Sequence, residues 1–297
     1  MTPPGHDASH VLPDGRIIEY WEGGDPDGKG VIFHPGTPVS HVMGRWAHDD
    51  AVAAGVRLVS LSRPGYGNST TLRSASLMRV GRDTAALASH LGFDGYAVVG
   101  SSGGGPFAVA TAVADPSGVR ALGVVGGMGP WRVLEGPSVL PEDRECLALL
   151  DAGDLDGAWE IFRGQYEEEF GSIDAPDDAV ELIMAGEVSS VIHDESYRAL
   201  WADNMRVVLS NFDGGVMDNL AWGGTWDVDL RDVAVPSLLW FGEDDDHCPP
   251  SYGRWYADRI ADSQLIIIPG GGHFDIIDAH WPEVLAGLLR IQRATDS

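Results

Sequence analysis

The sequence predicts an α/β fold in which a mostly parallel, doubly wound sheet is interrupted by a helical cap. Short apolar runs alternate with helical patterns at both ends of the 297-residue chain, as is typical of strands buried on both faces. Residues 130–229 contain amphipathic segments and no clear strand, which predicts an inserted cap. We therefore expect a core formed by residues 1–129 and 230–297 and a cap formed by residues 130–229.

Each predicted strand is a run of β-branched, aromatic or other apolar residues, commonly bounded by glycine or proline. Residues 30–34 read Gly-Val-Ile-Phe-His and are followed by Pro35 and Gly36. Each predicted helix carries apolar side chains three and four positions apart. The predicted strands are 16–21, 30–34, 56–61, 95–99, 119–125, 237–241 and 264–268, and the predicted helices include 42–54, 76–91, 104–114, 143–150, 158–170, 251–261 and 278–290.

The composition argues against several kinds of partner. The net charge of −26 would repel nucleic acid and anionic membrane surfaces, so neither is an expected partner. No segment approaches the roughly 18 unbroken apolar residues of a membrane span. The polar first ten residues do not resemble a signal peptide, which predicts a cytoplasmic protein. Cys146 and Cys248 offer neither a disulfide framework nor a metal-ligand spacing, and we expect free thiols.

A glycine-rich segment at residues 23–30 nearly matches a phosphate-binding loop and contains the single lysine, Lys29. The motif G-x-x-x-x-G-K needs a following Ser or Thr to hold Mg²⁺, and this sequence has Gly30 there. We therefore interpret the segment as a hairpin turn and expect no cofactor.

The segment 100–104 reads Gly-Ser-Ser-Gly-Gly and matches G-x-S-x-G, with Ser102 as the central serine. It lies directly after a predicted strand and directly before a predicted helix, as a nucleophile on a sharp strand-to-helix turn requires. Glycines on either side leave room for that turn, and the helix N-terminus directs free N–H groups at a developing anion. The alternative is a glycine-rich turn that only packs a helix against a strand.

The loop 34–38, His-Pro-Gly-Thr-Pro, is the candidate oxyanion loop. Acyl transfer needs two N–H donors aimed at the oxygen that becomes negative. Proline has no N–H group, so the donors that remain in this loop are the amides of Gly36 and Thr37. We expect Thr37 to act together with Gly103, which follows the nucleophile. The alternative is a proline-stiffened turn without a catalytic role.

One of ten histidines, His273, lies in a predicted flexible loop after the strand 264–268. The C-terminal ends of parallel strands are where α/β sheets gather reactive groups, so His273 is the candidate base. The loop after the strand 237–241 supplies the acid from three adjacent aspartates, residues 244–246. Those aspartates and His247 also suggest a metal site. Consecutive residues rarely converge on one ion, however, and we expect no metal.

These segments, together with the run Arg-Pro-Gly-Tyr-Gly-Asn-Ser at 63–69, resemble the α/β-hydrolase superfamily, and most resemble its actinobacterial proline-iminopeptidase-like and esterase-like branch. In that family the acid lies in the pattern G-x-x-D-x-x-x-P, and residues 242–249 then select Asp245. The resemblance also implies that the helical insertion is a lid over the active site. The sequence departs from the usual His-Gly loop, because Pro35 follows His34.

The predicted function is a serine hydrolase, esterase-like or peptidase-like, that cleaves an ester, lactone or amide of a small apolar or aromatic molecule through an acyl-enzyme on Ser102. Alternatives on the same triad are a carbon–carbon bond hydrolase and a biosynthetic acyl transfer or rearrangement. A non-catalytic ligand-binding protein on a hydrolase scaffold is a further alternative. A homodimer is possible.

Candidate substrate contacts come mainly from aromatic and apolar residues of the cap, which suit a ligand held under a lid. Ordinary packing between cap and core is the alternative for each of them. The candidates are His34, Trp201, Phe212, Met217, Trp222 and Trp226.

Overall fold

A computed structural model describes residues 5–131, 141–185 and 194–295. Within these ranges eight strands form one sheet in the order β1-β2-β4-β3-β5-β6-β7-β8. The pairs β1–β2 and β2–β4 are antiparallel. The remaining neighbours, in the sheet order β4-β3-β5-β6-β7-β8, pair in parallel. The strands are β1 His6–Val11, β2 Ile17–Gly24, β3 Lys29–His34, β4 Val56–Leu61, β5 Tyr96–Ser101, β6 Val119–Val125, β7 Ser237–Gly242 and β8 Ser263–Ile268.

The helices cover both faces of the sheet, which explains why β5 and β7 are buried along their whole length. α2 and α3 pack on one face, and α1 and α11 pack on the other, each within its own apolar cluster. The helices are α1 His48–Ala54, α2 Leu77–His90, α3 Gly105–Ala114, α4 Pro141–Asp151, α5 Leu155–Phe170, α6 Pro176–Ile183, α7 Glu195–Ser210, α8 Asp213–Gly223, α9 Pro250–Ala257, α10 His273–Asp278 and α11 Trp281–Thr295.

Five of these helices, α4 to α8, lie between β6 and β7, in the block for which the sequence predicts no strand. Two of them begin at aspartates that accept a backbone N–H from the first turn, Asp154 from Gly157 and Asp194 from Tyr197. Their apolar side chains join the same cluster as α2 and α3. The helical block therefore packs against the core and shares its hydrophobic interior.

The predicted α/β fold with its mostly parallel sheet is confirmed, and two strands, Val56–Leu61 and Val119–Val125, have the predicted bounds. Strand β1 has no signal in the sequence, because His6–Val11 is largely polar and pairs only along the sheet edge. The predicted helix 42–54 is divided into a 3₁₀ segment, His41–Ala47, and α1. Within the described ranges, no helix combines the length and apolar character needed to cross a bilayer.

Candidate active site

Ser102 lies at the sharp turn between β5 and α3, where the chain leaves the sheet through a 3₁₀ turn at Ser102–Gly104. Its φ of 50° is in the left-handed region, which L-residues rarely adopt. The turn is crowded, because a Cβ on Gly100 would stand 2.3 Å from the carbonyl oxygen of Gly104. Gly100 is therefore required for the turn that presents the Ser102 hydroxyl, and Gly104 is required for the close approach of the loop after β3, since a Cβ there would stand 2.1 Å from the carbonyl oxygen of His34.

His273 is held by Asp245, whose Oδ2 lies 2.8 Å from Nδ1 of the imidazole. The other carboxylate oxygen of Asp245 accepts the amides of His247 at 2.9 Å and Cys248 at 2.7 Å. Asp245 is 2% exposed. Because three donors surround this buried carboxylate, it fixes the orientation of the histidine ring.

The predicted flexible loop around His273 is wrong, because this residue is the first of helix α10. The preceding strand β8 ends at Ile268, and Gly270, Gly271 and Gly272 separate strand and helix. A run of three glycines predicts a loop, and here the loop is only four residues long. The helix that follows gives the imidazole a rigid base.

Ser102 and His273 line one cavity of about 220 Å³ at the carboxyl ends of the parallel strands. Its wall is mainly apolar and aromatic, and no arginine or lysine is among the lining residues of the described chain. The lining residues are Phe33, Pro35, Gly36, Thr37, Pro38, Val39, Met43, Trp46, Ser101, Ser102, Met128, Ile183, Tyr197, Trp201, His247, His273, Phe274, Ile277 and Asp278.

A buried thiol, Cys248, lies next to Ser102. Burial raises the pKa of this thiol well above its usual value, and the nearby carboxylate of Asp245 raises it further. A thiol that stays protonated is a poor nucleophile. The position next to Ser102 therefore does not make Cys248 a rival nucleophile. Both cysteines are free, as expected.

The loop after β3 lies directly against the nucleophile turn. A Cβ on Gly36 would stand 3.2 Å from Cβ of Ser102, and a Cβ on Gly103 would stand 2.3 Å from Oγ1 of Thr37. The structure thus brings Thr37 and Gly103 together beside Ser102. Their predicted role as oxyanion donors needs this proximity.

A cluster of buried polar residues, which we call the Arg63 cluster, lies beneath this loop and consists of Arg63, Tyr66 and Asp218. The guanidinium of Arg63 donates to both carboxylate oxygens of Asp218, at 2.7 and 2.6 Å. The hydroxyl of Tyr66 donates to the same carboxylate at 2.8 Å. Arg63 and Tyr66 belong to the family motif at 63–69, which assigns them no role, and no sequence motif indicates Asp218.

Asp278 places a second carboxyl in the cavity wall, and it accepts the hydroxyl of Tyr197 from α7 at 2.5 Å. Burial raises the pKa of Asp278 to about 7, although the bond to Tyr197 and the charge of His273 oppose this shift. No short motif indicated either residue. The pair connects a helix of the inserted block to α10 across the cavity.

Of the six predicted substrate contacts, Trp201 is the one that lines the cavity in the described chain. His34 is fully buried behind the loop, where Nε2 lies 3.1 Å from Oγ1 of Thr111. The aromatic rings of the other candidates pack on neighbouring rings, Phe212 on Tyr166, Trp222 on Trp131 and Trp226 on Trp255, and Met217 is buried in the large apolar cluster.

Metal binding has no support in the described residues, where no group of three or more His, Cys, Asp or Glu side chains could hold an ion. In the acid loop, Asp245 lies in the protein interior, whereas Asp244 and Asp246 are exposed. Consecutive residues of this loop therefore face different surroundings.

Comparison with known proteins agrees with this fold. A family model described as "alpha/beta hydrolase fold" matches residues 30–280. The chain belongs to the α/β-hydrolase family, and it is a hydrolase.

Among curated proteins, the chain is similar to 2-hydroxy-6-oxononadienedioate/2-hydroxy-6-oxononatrienedioate hydrolase 1 of Dechloromonas aromatica. The identity is 30% over 232 residues, which cover 75% of this chain and 72% of that protein. A hydrolase of the same name from Cupriavidus pinatubonensis is 28% identical, covering 79% of this chain and 74% of that one.

Among solved structures, the chain is similar to the serine hydrolase CarC, involved in carbazole degradation, with a TM-score of 0.68 and 20% identity over 97% of this chain and 99% of that one. An α/β hydrolase fold protein from Nakamurella multipartita gives a TM-score of 0.66 and 21% identity, covering 96% of this chain and 99% of that one. At these identities the likeness shows the fold alone.

Proposed function

We propose that this protein is a serine hydrolase that acts through an acyl-enzyme on Ser102. Its substrates are esters whose acyl group is small, uncharged and either apolar or aromatic. One observation carries the proposal. Ser102 stands at a φ of 50° on the turn between β5 and α3, and it lines the same cavity as His273, which Asp245 holds at 2.8 Å. A strained serine, an oriented imidazole and a buried carboxylate together are the parts of nucleophilic acyl transfer.

In the proposed mechanism, His273 takes the proton of Ser102 as Oγ attacks the ester carbonyl carbon. The carbonyl oxygen becomes an oxyanion, which accepts hydrogen bonds from the backbone N–H groups of Thr37 and Gly103. The bond to the leaving alcohol then breaks, and that alcohol departs with the proton from His273. Water, deprotonated by His273, attacks the acyl-enzyme by the same sequence of steps, releasing the acid and restoring Ser102.

The cavity wall supports a neutral acyl group. A carboxylate on the substrate would lose its hydration in a mainly apolar cavity, and the described lining residues include no arginine or lysine that could pair with it. Asp278 adds a negative charge whenever it is ionised. The two curated relatives are named for dienedioate substrates, which are dianions. Their substrates therefore fit this cavity less well than a neutral ester does.

We also propose that the helical block between β6 and β7 covers the cavity as a lid, and that residues 130–229 are that cap. Ile183 of α6 and both Tyr197 and Trp201 of α7 contribute to the cavity wall. A helical insertion that supplies one wall of a cavity can set specificity while the sheet supplies the reactive groups.

A second candidate function is carbon–carbon bond hydrolysis, because the two curated relatives carry the names of such dienedioate hydrolases. The 2-hydroxy and 6-oxo groups in those names stand in the 1,5-relation of an enolised diketone, so an enolised 1,5-diketone lacking carboxylates, such as 5-hydroxy-1-phenylhexa-2,4-dien-1-one, is the appropriate test substrate. Cleavage of this diketone faster than hydrolysis of any tested ester would favour the alternative. The assignment to a proline-iminopeptidase-like branch stays a prediction, which amino-acid anilides test in the same screen.

The first prediction concerns Ser102. A fluorophosphonate probe should label the wild-type protein at Ser102, as read by peptide mass spectrometry, and Ser102→Ala should lose labelling and all turnover of p-nitrophenyl butyrate. Ser89→Ala, an exposed serine of α2, is the matched control and should behave as wild type. Retained turnover by Ser102→Ala would overturn the proposal, and a wild-type protein that resists labelling would favour a ligand-binding protein.

The charge preference is tested in the same assay by comparing p-nitrophenyl butyrate with mono-p-nitrophenyl succinate, an anionic ester of similar size. We expect kcat/KM to be at least about tenfold higher for the neutral ester, the penalty of one unpaired charge in an apolar cavity. Equal values of kcat/KM for the two esters would contradict the proposed substrate class.

Adding an alcohol as a competing acceptor distinguishes hydrolysis from acyl transfer by the product ratio.

A further inference from the structure

Arg63 is fully buried beneath the loop that follows β3, and it holds that loop by its backbone. Nη1 donates to the carbonyl oxygen of Pro35 at 2.5 Å, and Nη2 donates to the carbonyl oxygen of Gly36 at 2.6 Å. Charge-assisted bonds from a planar guanidinium are strong and directional. Two consecutive carbonyl groups of the loop are therefore fixed toward Arg63.

The direction of these carbonyl groups also determines where the amide of Thr37 points. The carbonyl of Gly36 and the N–H of Thr37 belong to one peptide unit, and in a planar trans peptide they point to opposite sides. Since the carbonyl of Gly36 faces Arg63, the N–H of Thr37 faces away from Arg63. Gly36 lies against Ser102, and Thr37 lines the cavity.

Asp218 of α8 holds Arg63 in this orientation. Its carboxylate accepts hydrogen bonds from Nε and Nη2 of Arg63. It also accepts hydrogen bonds from the hydroxyl of Tyr66 and from the hydroxyl of Thr37, the latter at 2.7 Å. Arg63 and Asp218 are both fully buried. Removing the charge of one partner leaves the other charge buried and unpaired, so the guanidinium would turn toward any other acceptor.

We propose that Arg63 and Asp218 are positioning residues for the oxyanion hole, in which Arg63 aims the amide of Thr37 at the cavity and Asp218 keeps Arg63 in place. The inference rests on the proposed function, since an oxyanion hole matters only if Ser102 performs acyl transfer. Because Asp218 belongs to the helical block and Arg63 to the core, the hole is complete only when α8 is docked.

A purely structural ion pair is the competing explanation, and the chain offers a matched control. Arg16, directly before β2, and Asp83 of α2 form a second bidentate pair, at 2.5 and 2.6 Å, which is partly buried, and neither residue lines the cavity. Asp83→Asn and Asp218→Asn make the same chemical change. Both variants should lower the melting temperature, but only Asp218→Asn should change the chemistry.

The experiment measures kcat and KM for p-nitrophenyl butyrate and the inhibition constant of a phenylalkyl trifluoromethyl ketone. Ser102 adds to the carbonyl carbon of this ketone and places an oxyanion in the hole. We expect Asp218→Asn to lower kcat about 10- to 100-fold, less than the roughly 10²- to 10³-fold loss of an entire donor. The inhibition constant should rise by a similar factor, while KM changes less than about threefold.

Two further variants keep the test decisive if Asp218→Asn does not fold. Tyr66→Phe removes one donor to Asp218 and should lower kcat by a smaller factor in the same direction. Arg63→Lys keeps the charge without the planar fork and should recover only part of kcat relative to Arg63→Gln. A loss of activity equal to the loss of folded protein, or a KM effect at unchanged kcat, would overturn the proposal. Fluorophosphonate labelling of wild-type Ser102 tests the proposed function separately.

Discussion

Asp278 shows how one side chain can work against the stability of the fold. The residue is 8% exposed, and burial raises the pKa of its carboxyl group from the usual 3.8 to about 7. The groups that face it are the hydroxyl of Tyr197 and the imidazole of His273, with Asp275 on the same helix. In the folded protein this carboxyl holds its proton up to near-neutral pH, whereas in the unfolded chain it loses the proton near pH 4.

This difference predicts a pH dependence of stability. Because the folded-state pKa is the higher one, the contribution of Asp278 is fully present below about pH 4 and is lost as the pH rises through about 7. Asp278→Asn has no such loss and can still accept the hydroxyl of Tyr197. The advantage of the variant in free energy of unfolding should therefore grow by roughly 2 kcal/mol between about pH 5 and pH 8.

Urea unfolding at several pH values measures this change. Asp258→Asn, at an exposed position after α9, is the control and should differ from wild type by a constant amount. An Asp278→Asn advantage that stays the same across the pH range would show that the carboxyl titrates alike in folded and unfolded protein.

The residues that could be predicted are those carried by short motifs. Ser102 follows from G-x-S-x-G, and Asp245 and His273 follow from loops after strands, so each was chosen from local sequence. Their catalytic roles stay predictions, although the structure brings all three to one site. Arg63 and Asp218 are 155 positions apart, and Tyr197 and Asp278 are 81 apart. Such pairs depend on how distant elements pack, which one sequence does not reveal.

At the scale of elements, the turn between β5 and α3 makes the strictest demand on sequence. A Cβ on Gly100 would meet the carbonyl of Gly104 at 2.3 Å and Cβ of Ala108 at 2.9 Å. Contacts this short with backbone cannot be relieved by a change of side-chain rotamer. The helix would have to move away from the strand that carries it.

We therefore predict that Gly100→Ala destabilises the protein by more than about 2 kcal/mol, a typical cost of overpacking, and lowers the yield of folded protein. Gly164→Ala is the control, since a Cβ at this exposed helical position meets nothing within 4 Å. It should raise stability by about 0.5–1 kcal/mol. Thermal unfolding measures both, and a Gly100→Ala variant as stable as wild type would mean that the turn is looser than described.

Elements were predictable where apolar periodicity is strong and unpredictable where it is weak. α2 was expected at 76–91 and is Leu77–His90, with Ser76 accepting the amide of Arg79 at its start. β1 lacks an apolar face, so only its pairing with β2 makes it a strand. The short helix α10 was missed because three glycines precede it and its six residues are too few to show a helical period.

For the whole molecule, the acidic excess is the property with the widest effect. A net charge of −26 on one folded chain causes self-repulsion that the compact state must overcome. Salt screens this repulsion, and the screening length is about 10 Å at 0.1 M and about 30 Å at 0.01 M. We predict that raising NaCl from about 0.01 to 0.2 M increases the melting temperature at neutral pH by a few degrees.

The control for this prediction is the same titration near the isoelectric point of about 4.4, where the net charge vanishes and the increase should vanish with it. Scanning calorimetry or intrinsic tryptophan fluorescence provides the melting temperature. A decrease with salt at neutral pH would mean that the individual ion pairs, such as Arg57 with Glu22, matter more than the overall repulsion.

The position of Lys29 has a practical consequence. It is the chain's single lysine, it is exposed, and it begins β3. Because the strands beside β3 are parallel to it, their starting ends share one edge of the sheet, and Ser102 follows the opposite end of β5. Coupling through this side chain to an aldehyde- or ester-activated resin would attach the molecule by the edge remote from its cavity. The immobilised protein should then present the cavity to the flowing solution.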